Sequence, residues 1–284
     1  MALKLDKEAL FNNYIDTALE VLADFEVVFG IDNVASQFFG QIIAHGETQI
    51  PDRQAAMKHV QQSDAWRSLS RLYDYAVDGV LDDPNPDEIV ESAADVLTYF
   101  ETYSISPADD WIHIVQQGDG RFALDDGQDI IIDKLRLLAG VDIRTVRNAV
   151  SAGDLAAHKV DGDTFINNDT AREWLSLRRS FKPTRIISTD KIKLSQVSSP
   201  VEFAAFLKAQ RETLGFDLKD KKLAFIHPSL DARIITDVEG GIFKLPLDSV
   251  FPLADFYQIE KQPFLNMVMR VFYKDQLSMI QINA

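Results

Sequence analysis

The sequence predicts a multidomain, mainly α-helical protein with α+β parts. Three observations indicate this: helical spacing of apolar residues before residue 127, a dense succession of helix, turn and hairpin signals over residues 127–185, and a mixture of short segments after them. We therefore expect an all-helical domain over 1–126, a small central domain over 127–185 and a small α/β domain over 186–284. A chain of 284 residues, 46% of them hydrophobic, is long enough to form two or three such cores.

The formal charge of −15 is distributed unevenly along the chain. Residues 1–126 contain 7 Lys+Arg and 24 Asp+Glu, residues 127–185 contain 10 and 8, and residues 186–284 contain 12 and 12. The acid excess therefore lies in the first region, which would repel nucleic-acid phosphates over about 8–10 Å in physiological salt. A face that binds nucleic acid has to lie in the central region and point away from the acidic one.

The sequence contains no cysteine, which excludes disulfides, thiolate nucleophiles and cysteine-bound zinc. The first residues lack an apolar core followed by a small-residue cleavage site, and no apolar run approaches the length that spans a bilayer. These features predict a cytoplasmic protein that has no membrane partner.

The first region has the apolar spacing of amphipathic helices from residue 6 to about 104. The proline-rich run at 82–86 predicts a break, after which another helix begins. A further helix is expected to begin at 106–109, where a proline precedes acidic residues, and to end at Gly118. The glycine-rich stretch 118–127 would then form the connector to the next domain.

Carboxylates in these helices could in principle bind a divalent metal. The two groups that share a helix are Glu20, Asp24 and Glu26, and Glu88, Glu91 and Asp95. Their spacing does not match known carboxylate-bound centres, because di-iron bundles pair a Glu with a His three residues later and none of the histidines here follows a Glu in that way. We therefore expect a solvated acidic face with no catalytic residue, metal or cofactor, and no enzymatic activity. The lone His45 is expected to be a cap or surface residue.

The central region begins with two short helices that are separated by a tight turn. The first is predicted from about Asp129, and Gly140 can close it in the left-handed conformation. Asp142 can then cap a second helix, predicted from Ile143 to about Ser151. The apolar face of that helix comprises Ile143, Val146 and Val150, and its opposite face carries Arg144, Arg147, Asn148 and Ser151. Packing on the first helix would leave the arginines in solvent.

A hairpin and a third helix follow. The Asp161-Gly162 dipeptide suits the positive φ angles of a tight turn, so it predicts a hairpin. Its strands are predicted at 155–160 and 164–166. A third helix should begin within 168–170, where Thr170 and Glu173 have the spacing of a capping box. Three of its side chains are expected to turn inward: Ala171, Trp174 and Leu175. This order of elements is that of a winged helix-turn-helix.

The segment LAGVDIRTVRNAVSAGDLAAHKVDGDTFINNDTAREWLSLRR resembles the winged-helix DNA-binding domains of the MerR and excisionase type. A Gly-Val turn and an Arg-Thr-Val run lead into a recognition helix in that family, and an Ala-x-x-Trp-Leu helix follows the wing. The resemblance covers residues of about 127–185. It implies a DNA-binding transcriptional regulator whose partner is double-stranded DNA. The positions that would face the major groove are Arg144, Thr145, Arg147 and Asn148, and the wing near Lys159 would approach phosphates.

Further contacts and one departure follow from the same residues. Ser151 shares the exposed helix face, and Arg136 and Lys182 are basic residues that could meet phosphates. The hairpin tip departs from the family pattern, because Asp161 and Asp163 would repel a phosphate backbone. The long coiled coil of MerR proteins is also missing, so a homodimer would use another region. The alternative is a non-enzymatic adaptor whose winged helix docks a protein and whose acidic domain mimics or masks a polyanion. The acidic domain is also where a protein partner is expected.

The last region mixes several kinds of signal after a basic linker at 181–185. An extended segment is predicted near 186–194, and Ser199-Pro200 should begin a helix that ends at Gly215. Short strands are expected at 232–236 and 242–245, on either side of a Gly240-Gly241 turn, followed by a helical stripe at 264–272 and an apolar segment at 277–282. Such Met- and Phe-rich stripes usually form a core, and dimerisation is another use for them.

Overall fold

The computed structural model describes residues 6–83, 86–102, 109–187, 192–218 and 230–274. It is mainly helical with small β-sheets, which confirms the predicted class at that level. The chain divides into two units, each described below by itself. Unit 1 comprises Met1–Asp78 and Asp87–Asp119, and unit 2 comprises Gly79–Pro86 and Gly120–Ala284.

Unit 1 is built from helices. Their bounds are Lys7–Phe29 (α1), Val34–Phe39 (α2), Arg53–Val60 (α3), Asp64–Ala76 (α4), Asp87–Thr102 (α5) and the first part of Asp109–Asp125 (α6). Aromatic residues from α1, α4 and α6 meet in its core, where the Phe11 and Trp66 ring centroids lie 3.9 Å apart and the Tyr14 and Trp111 centroids 6.4 Å apart. The helix predicted after 82–86 begins at Asp87, whereas residues 103–108, before α6, lie outside the described residues.

The prediction of a connector at 118–127 is wrong for most of that stretch. Helix α6 continues through Gly118 and Gly120 to Asp125. In unit 1, a Cβ atom on Gly118 would lie 2.8 Å from Cδ1 of Leu72. In unit 2, a Cβ atom on Gly120 would lie 2.8 Å from Cβ of Lys134. These glycines therefore permit close packing of the helix instead of ending it. The chain turns at Gly127, which has a φ of +81°.

The predicted order of helix, turn, helix, hairpin and helix is present in the first half of unit 2. The elements are Ile130–Ile131 (β2), Ile132–Ala139 (α7), Ile143–Ala152 (α8), Ala157–Val160 (β3), Asp163–Ile166 (β4) and Asn168–Ser176 (α9). The first helix begins at Ile132 and not near Asp129, because Ile130 and Ile131 pair antiparallel with Ile166 and Phe165. The strands form one sheet in the order β2-β4-β3.

Local capping signals set most of these boundaries. Gly140 and Gly153 end α7 and α8 in the left-handed conformation, as predicted. The Asp142 carboxylate accepts the Arg144 backbone N–H at 2.8 Å and begins α8. The capping box predicted at Thr170 and Glu173 is wrong: the Asn167 side chain accepts from Thr170 N at 3.4 Å, and the Thr170 hydroxyl accepts from Ala156 N.

A small core holds these elements together. It contains the predicted inward residues of α9 together with residues of α7, α8 and the sheet: Leu135, Leu138, Val146, Ile166, Ala171, Trp174 and Leu175. Leu124, near the end of α6, belongs to the same core. The buried Asn168 side chain donates to the Leu124 carbonyl at 3.0 Å and to the Gln128 carbonyl at 2.8 Å. These bonds satisfy one of the last carbonyl groups of α6 and one carbonyl in the turn after it, and they fix α9 against the end of α6.

The second half of unit 2 contains one short strand, Arg185–Ile186 (β5), which pairs parallel with Val80–Leu81 (β1) from earlier in the chain. Its α-helices within the described residues are Pro200–Thr213 (α10), Ala232–Val238 (α11), Val250–Phe256 (α12) and Lys261–Phe272 (α13). Helix α10 begins at the predicted Ser199-Pro200, where Ser199 and Glu202 form a capping box. The helical stripe predicted at 264–272 is confirmed. The segment 277–282 lies outside the described residues.

The strands predicted at 232–236 and 242–245 are wrong. Residues 232–238 form α11, whose first turn is capped by the Asp231 carboxylate, which accepts from Ile234 N at 2.8 Å. Ile235 and Val238, three residues apart, then point into a helical core. Residues 242–245 form no strand, and Phe243 packs its ring against Phe203 and Phe272 in that core.

A buried polar cluster joins α10, α11 and α12. Arg211 donates from Nε and Nη2 to the two carboxylate oxygens of Glu239, at 2.7 and 2.9 Å. The Tyr257 hydroxyl donates to the same carboxylate at 3.1 Å. Burial, with the neighbouring Glu239 charge, raises the pKa of Tyr257, so this hydroxyl stays a donor. The Arg211 guanidinium also donates from Nη1 to the Phe216 carbonyl at 2.8 Å, so further hydrogen bonds support the buried ion pair.

Candidate functional site

The exposed face of α8 carries the side chains that the sequence predicted. Arg144, Arg147 and Asn148 are exposed together, while Val146 and Ala149 are buried on the opposite side. Thr145 is half-buried. Ser151 is exposed, and its hydroxyl donates to the Arg147 carbonyl at 3.0 Å, which leaves its oxygen able to accept from a ligand. The predicted exposure of this helix face is confirmed, whereas on the predicted apolar face Val146 is buried and Ile143 and Val150 are half-buried.

A groove separates α8 from β3. Its volume is about 470 Å³, and its lining residues are Ile132, Arg147, Val150, Ser151, Ala157, His158, Lys159 and Thr164. The groove thus brings Arg147, Ser151 and Lys159 together, although Lys159 lies on a different element from the other two. Arg144 and Asn148 lie on the same helix and do not line the groove.

The basic groups of this surface are available for a ligand. Arg144, Arg147 and Lys159 form no ion pair within the described residues, and each is exposed. A guanidinium and an ammonium group without internal partners keep all their donors in solvent. The apolar floor of the groove, formed by Ile132, Val150 and Ala157, carries no carboxylate that would neutralise them.

Sequence reasoning missed His158. Its ring stacks on Phe165 with the centroids 5.8 Å apart, and its Nδ1 lies 3.6 Å from Oδ2 of Asp129. Asp129 in turn accepts the backbone N–H of Asn168 at the start of α9. In the sequence, its position next to Lys159 in a predicted strand of the hairpin could have indicated that His158 lies near the predicted phosphate contact. Because Nδ1 faces a carboxylate, Nε2 is the polar atom that His158 can offer to the groove.

The hairpin tip is acidic, as expected. Asp161 and Asp163 are exposed, and Lys159 is the only Lys or Arg in residues 157–166. The turn angles are those of a tight hairpin, with φ of 51° at Asp161 and 97° at Gly162. Lys159, which pairs with Thr164 one step from the turn, therefore carries the positive charge of the hairpin, and the tip carries the negative charge.

Arg136 and Lys182 do not reach the groove. Arg136 lies on α7, where its Nε is 3.1 Å from Oδ1 of Asp133. Lys182 is exposed in the segment after α9, and its carbonyl accepts from Nη1 of the buried Arg121 at 2.8 Å. Nearby, the Arg178 guanidinium lies 4.0 Å from the centroid of the Trp174 ring, a cation–π contact. These basic residues are separate from the α8 surface.

Comparison of the chain with protein-family models, with curated proteins and with solved structures found no match. The candidate site therefore rests on the geometry of α8 and β3 alone.

The carboxylates weighed as metal ligands do not converge. Within the described residues no group of three or more His, Asp or Glu could hold a metal ion. Glu26 is instead buried and accepts the backbone N–H of Ala35 at 2.9 Å and that of Gly46 at 3.4 Å. His45 lies on the surface, with Nδ1 2.9 Å from Oδ1 of Asp32. Among the helices whose residues are described, none combines the length and the apolar character needed to span a bilayer.

Proposed function

We propose that unit 2 binds double-stranded DNA through the exposed face of α8 and the adjoining α8–β3 groove, and that the protein is a non-enzymatic, MerR-like transcriptional regulator. The observation that supports this is the meeting of Arg147, Ser151 and Lys159 in one groove beside the exposed Arg144 and Asn148. Arginine recognises guanine and asparagine recognises adenine by paired hydrogen bonds in the major groove.

The size and position of α8 fit such a role. Its 10 residues span about 15 Å, and the major groove of B-DNA, about 12 Å wide, admits one α-helix. Recognition helices present the residues of their first turns to the base edges, and Arg144, Arg147 and Asn148 occupy the first two turns of α8. Lys159 on β3 would then meet the phosphates that border the groove.

The net negative charge of the chain limits non-specific binding to DNA. With a net charge of −15, the protein gains little from non-specific attraction to phosphate. Specific contacts from α8 would therefore supply a larger share of the affinity than they do in a basic DNA-binding protein. We expect binding to a random duplex to be weak and binding to a preferred sequence to stand out clearly.

Two substitutions in the groove test the proposal. Arg147→Ala should relax the sequence preference at one position, at a cost of about 1–3 kcal/mol on the preferred site. Lys159→Ala should weaken binding to all sequences alike and reduce the salt slope by about one unit, because it removes a phosphate contact. Selection from a random duplex pool, followed by titration at several salt concentrations, measures both effects.

Arg233→Ala is the matched control, since it removes the same charge from an exposed position on α11. It should leave the sequence preference unchanged. If the wild-type protein recovers no sequence from the pool above the level of an acidic control protein, DNA binding is wrong.

A protein partner on the same face is the second candidate function. It is favoured by the exposed hairpin tip, where Asp161 and Asp163 flank the turn beside Val160, which is 46% exposed. Carboxylates beside an apolar side chain suit a polypeptide better than a phosphate backbone. In this case the Arg144→Ala/Arg147→Ala protein would lose a protein partner, and neither substitution would alter DNA binding.

A further inference from the structure

Unit 1 exposes a group of large apolar side chains around the end of α1. Val27, Val28 and Phe29 are 61%, 73% and 60% exposed, and Ile31, just beyond the helix, is 44% exposed. Ile42, in the loop after α2, is 89% exposed. We call these five residues the apolar patch. Single exposed apolar residues are common on protein surfaces, whereas a group at one place marks a binding surface.

Hydrogen bonds join the chain segments that carry the apolar patch. The Glu26 carboxylate, near the end of α1, accepts hydrogen bonds from the backbone N–H groups of Ala35 and Gly46. Ile43 is fixed next to α2, because its N–H donates to the Ser36 hydroxyl at 2.9 Å and its carbonyl accepts from that hydroxyl at 3.0 Å. A Cβ atom on Gly46 would lie 3.1 Å from Cγ2 of Val27. The loop of Ile42 is thus held against the end of α1.

Exposed carboxylates precede the patch along α1. Of the eight Asp and Glu in residues 8–52, Glu26 is buried, Asp16 pairs with Arg53 and Asp32 pairs with His45. Glu20 and Asp24 are exposed and precede Val28 by eight and four residues, so all three lie along one face of α1. Neither carboxylate forms an ion pair within the described residues. The same helix face therefore presents unpaired negative charge followed by apolar surface.

We propose that the apolar patch and its carboxylates, Glu20 and Asp24, bind a basic amphipathic helix of another protein. Apolar residues of such a helix would cover Val28 and Ile42, and its Lys or Arg side chains would pair with the carboxylates along α1. A second copy of this chain fits less well, because its own patch would bring like charges together. Anionic lipid and nucleic acid are repelled by the same carboxylates. The proposal goes beyond DNA binding, which uses α8 in unit 2.

A synthetic helix of defined composition tests the proposal on the full-length chain. The probe is a fluorescent peptide of about 18 residues, long enough to form a helix, with Leu on one face and Lys on the other. Its counterpart has Glu in place of Lys. The wild-type protein should bind the Leu/Lys peptide, measured by anisotropy at about 0.15 M salt, and should not bind the Leu/Glu peptide.

Three variants separate apolar contact from charge. Val28→Ser/Ile42→Ser should weaken binding at least tenfold, because the apolar patch loses its two most exposed side chains. Glu20→Gln/Asp24→Asn should weaken it severalfold and flatten its salt dependence. Leu177→Ser removes an apolar side chain that is 82% exposed in unit 2, and it should leave the affinity unchanged. Thermal melting of each variant confirms that these surface changes preserve the fold.

Two results would overturn the proposal. In the first, Val28→Ser/Ile42→Ser binds the Leu/Lys peptide as tightly as the wild type, which would show attraction by net charge alone. In the second, sedimentation shows a wild-type dimer that this variant abolishes, so that the patch serves self-association. Titration of the same variant with duplex DNA keeps the two proposals apart, since α8 is unchanged in it.

Discussion

At the scale of single residues, the Glu26 carboxylate makes buried contacts with two backbone N–H groups. It is 1% exposed and accepts backbone N–H groups from Ala35 and Gly46. The hydrogen bond from Ala35 lowers the pKa of Glu26 below its usual 4.5 and outweighs burial, which acts to raise it. A carboxyl group whose pKa is lowered by folding stabilises the protein above its unfolded pKa, and this contribution is lost as the pH falls through the folded pKa.

We therefore predict that Glu26→Gln lowers the free energy of unfolding at pH 7 by about 1–3 kcal/mol, since a neutral amide is a weaker acceptor for buried N–H groups. The difference from the wild type should shrink as the pH falls below the usual 4.5 and through the lowered pKa of the folded state, where the wild-type carboxylate becomes protonated. Urea unfolding at a series of pH values measures it. Glu20→Gln, on an exposed part of the same helix, should show no such effect. A constant gap at every pH would refute the role of ionisation.

At the scale of elements, the β3–β4 hairpin combines one basic side chain, Lys159, with an acidic tip. Lys159 lines the groove beside α8, whereas Asp161 and Asp163 surround the turn. Asparagine adopts the positive φ of Asp161 as readily as aspartate does, so the carboxylates can be replaced without disturbing the turn.

If the hairpin approaches DNA as a wing, Asp161→Asn/Asp163→Asn should tighten binding severalfold at low salt, because two charges that repel phosphate are removed. The gain should fade as the salt concentration rises. Asp169→Asn removes an exposed carboxylate from α9 and serves as the control. An unchanged affinity would place the tip away from the DNA. Weaker binding would favour a protein partner that needs the carboxylates.

At the scale of the whole molecule, charge divides the chain into an acidic first part and a nearly neutral remainder. Residues 120–284 contain 23 Lys+Arg and 22 Asp+Glu, so the excess negative charge lies before them. The end of α6 packs with residues 120–284. Leu124 is part of the core that contains α8, and the Arg121 guanidinium donates to the Lys182 carbonyl. A fragment meant to bind DNA should therefore begin at residue 120 and not at 127.

We predict that a fragment of residues 120–284 binds duplex DNA more tightly than the full chain at low salt, and that the two affinities converge as salt screens the acidic region. Titration of both proteins across a range of salt concentrations tests this. Because β5 loses its partner β1 in the fragment, circular dichroism and a melting curve have to establish its folding first. A folded fragment that binds no better than the full chain would mean that the acidic part contributes contacts of its own.

The sequence by itself determined the elements whose boundaries depend on neighbouring residues. Gly140 ends α7, and Asp142 and Gly153 bound α8, because caps and left-handed glycines act on backbone groups within one turn. The Asp161-Gly162 turn follows from the same local conformational preference. The exposed face of α8 was also predictable, because helical periodicity alone puts Arg144 and Arg147 opposite the buried Val146.

Only the tertiary structure decided the features that depend on residues distant in sequence. Ile130 and Ile131 fit a helical stripe equally well, and pairing with β4 makes them a strand. Gly118 and Gly120 would end an isolated helix, whereas close approach by neighbouring chain segments keeps them inside α6. The groove that joins Arg147 to Lys159 likewise exists because β3 packs beside α8. Periodicity and capping report interactions within about four residues, and long-range packing chooses among the alternatives that they leave open.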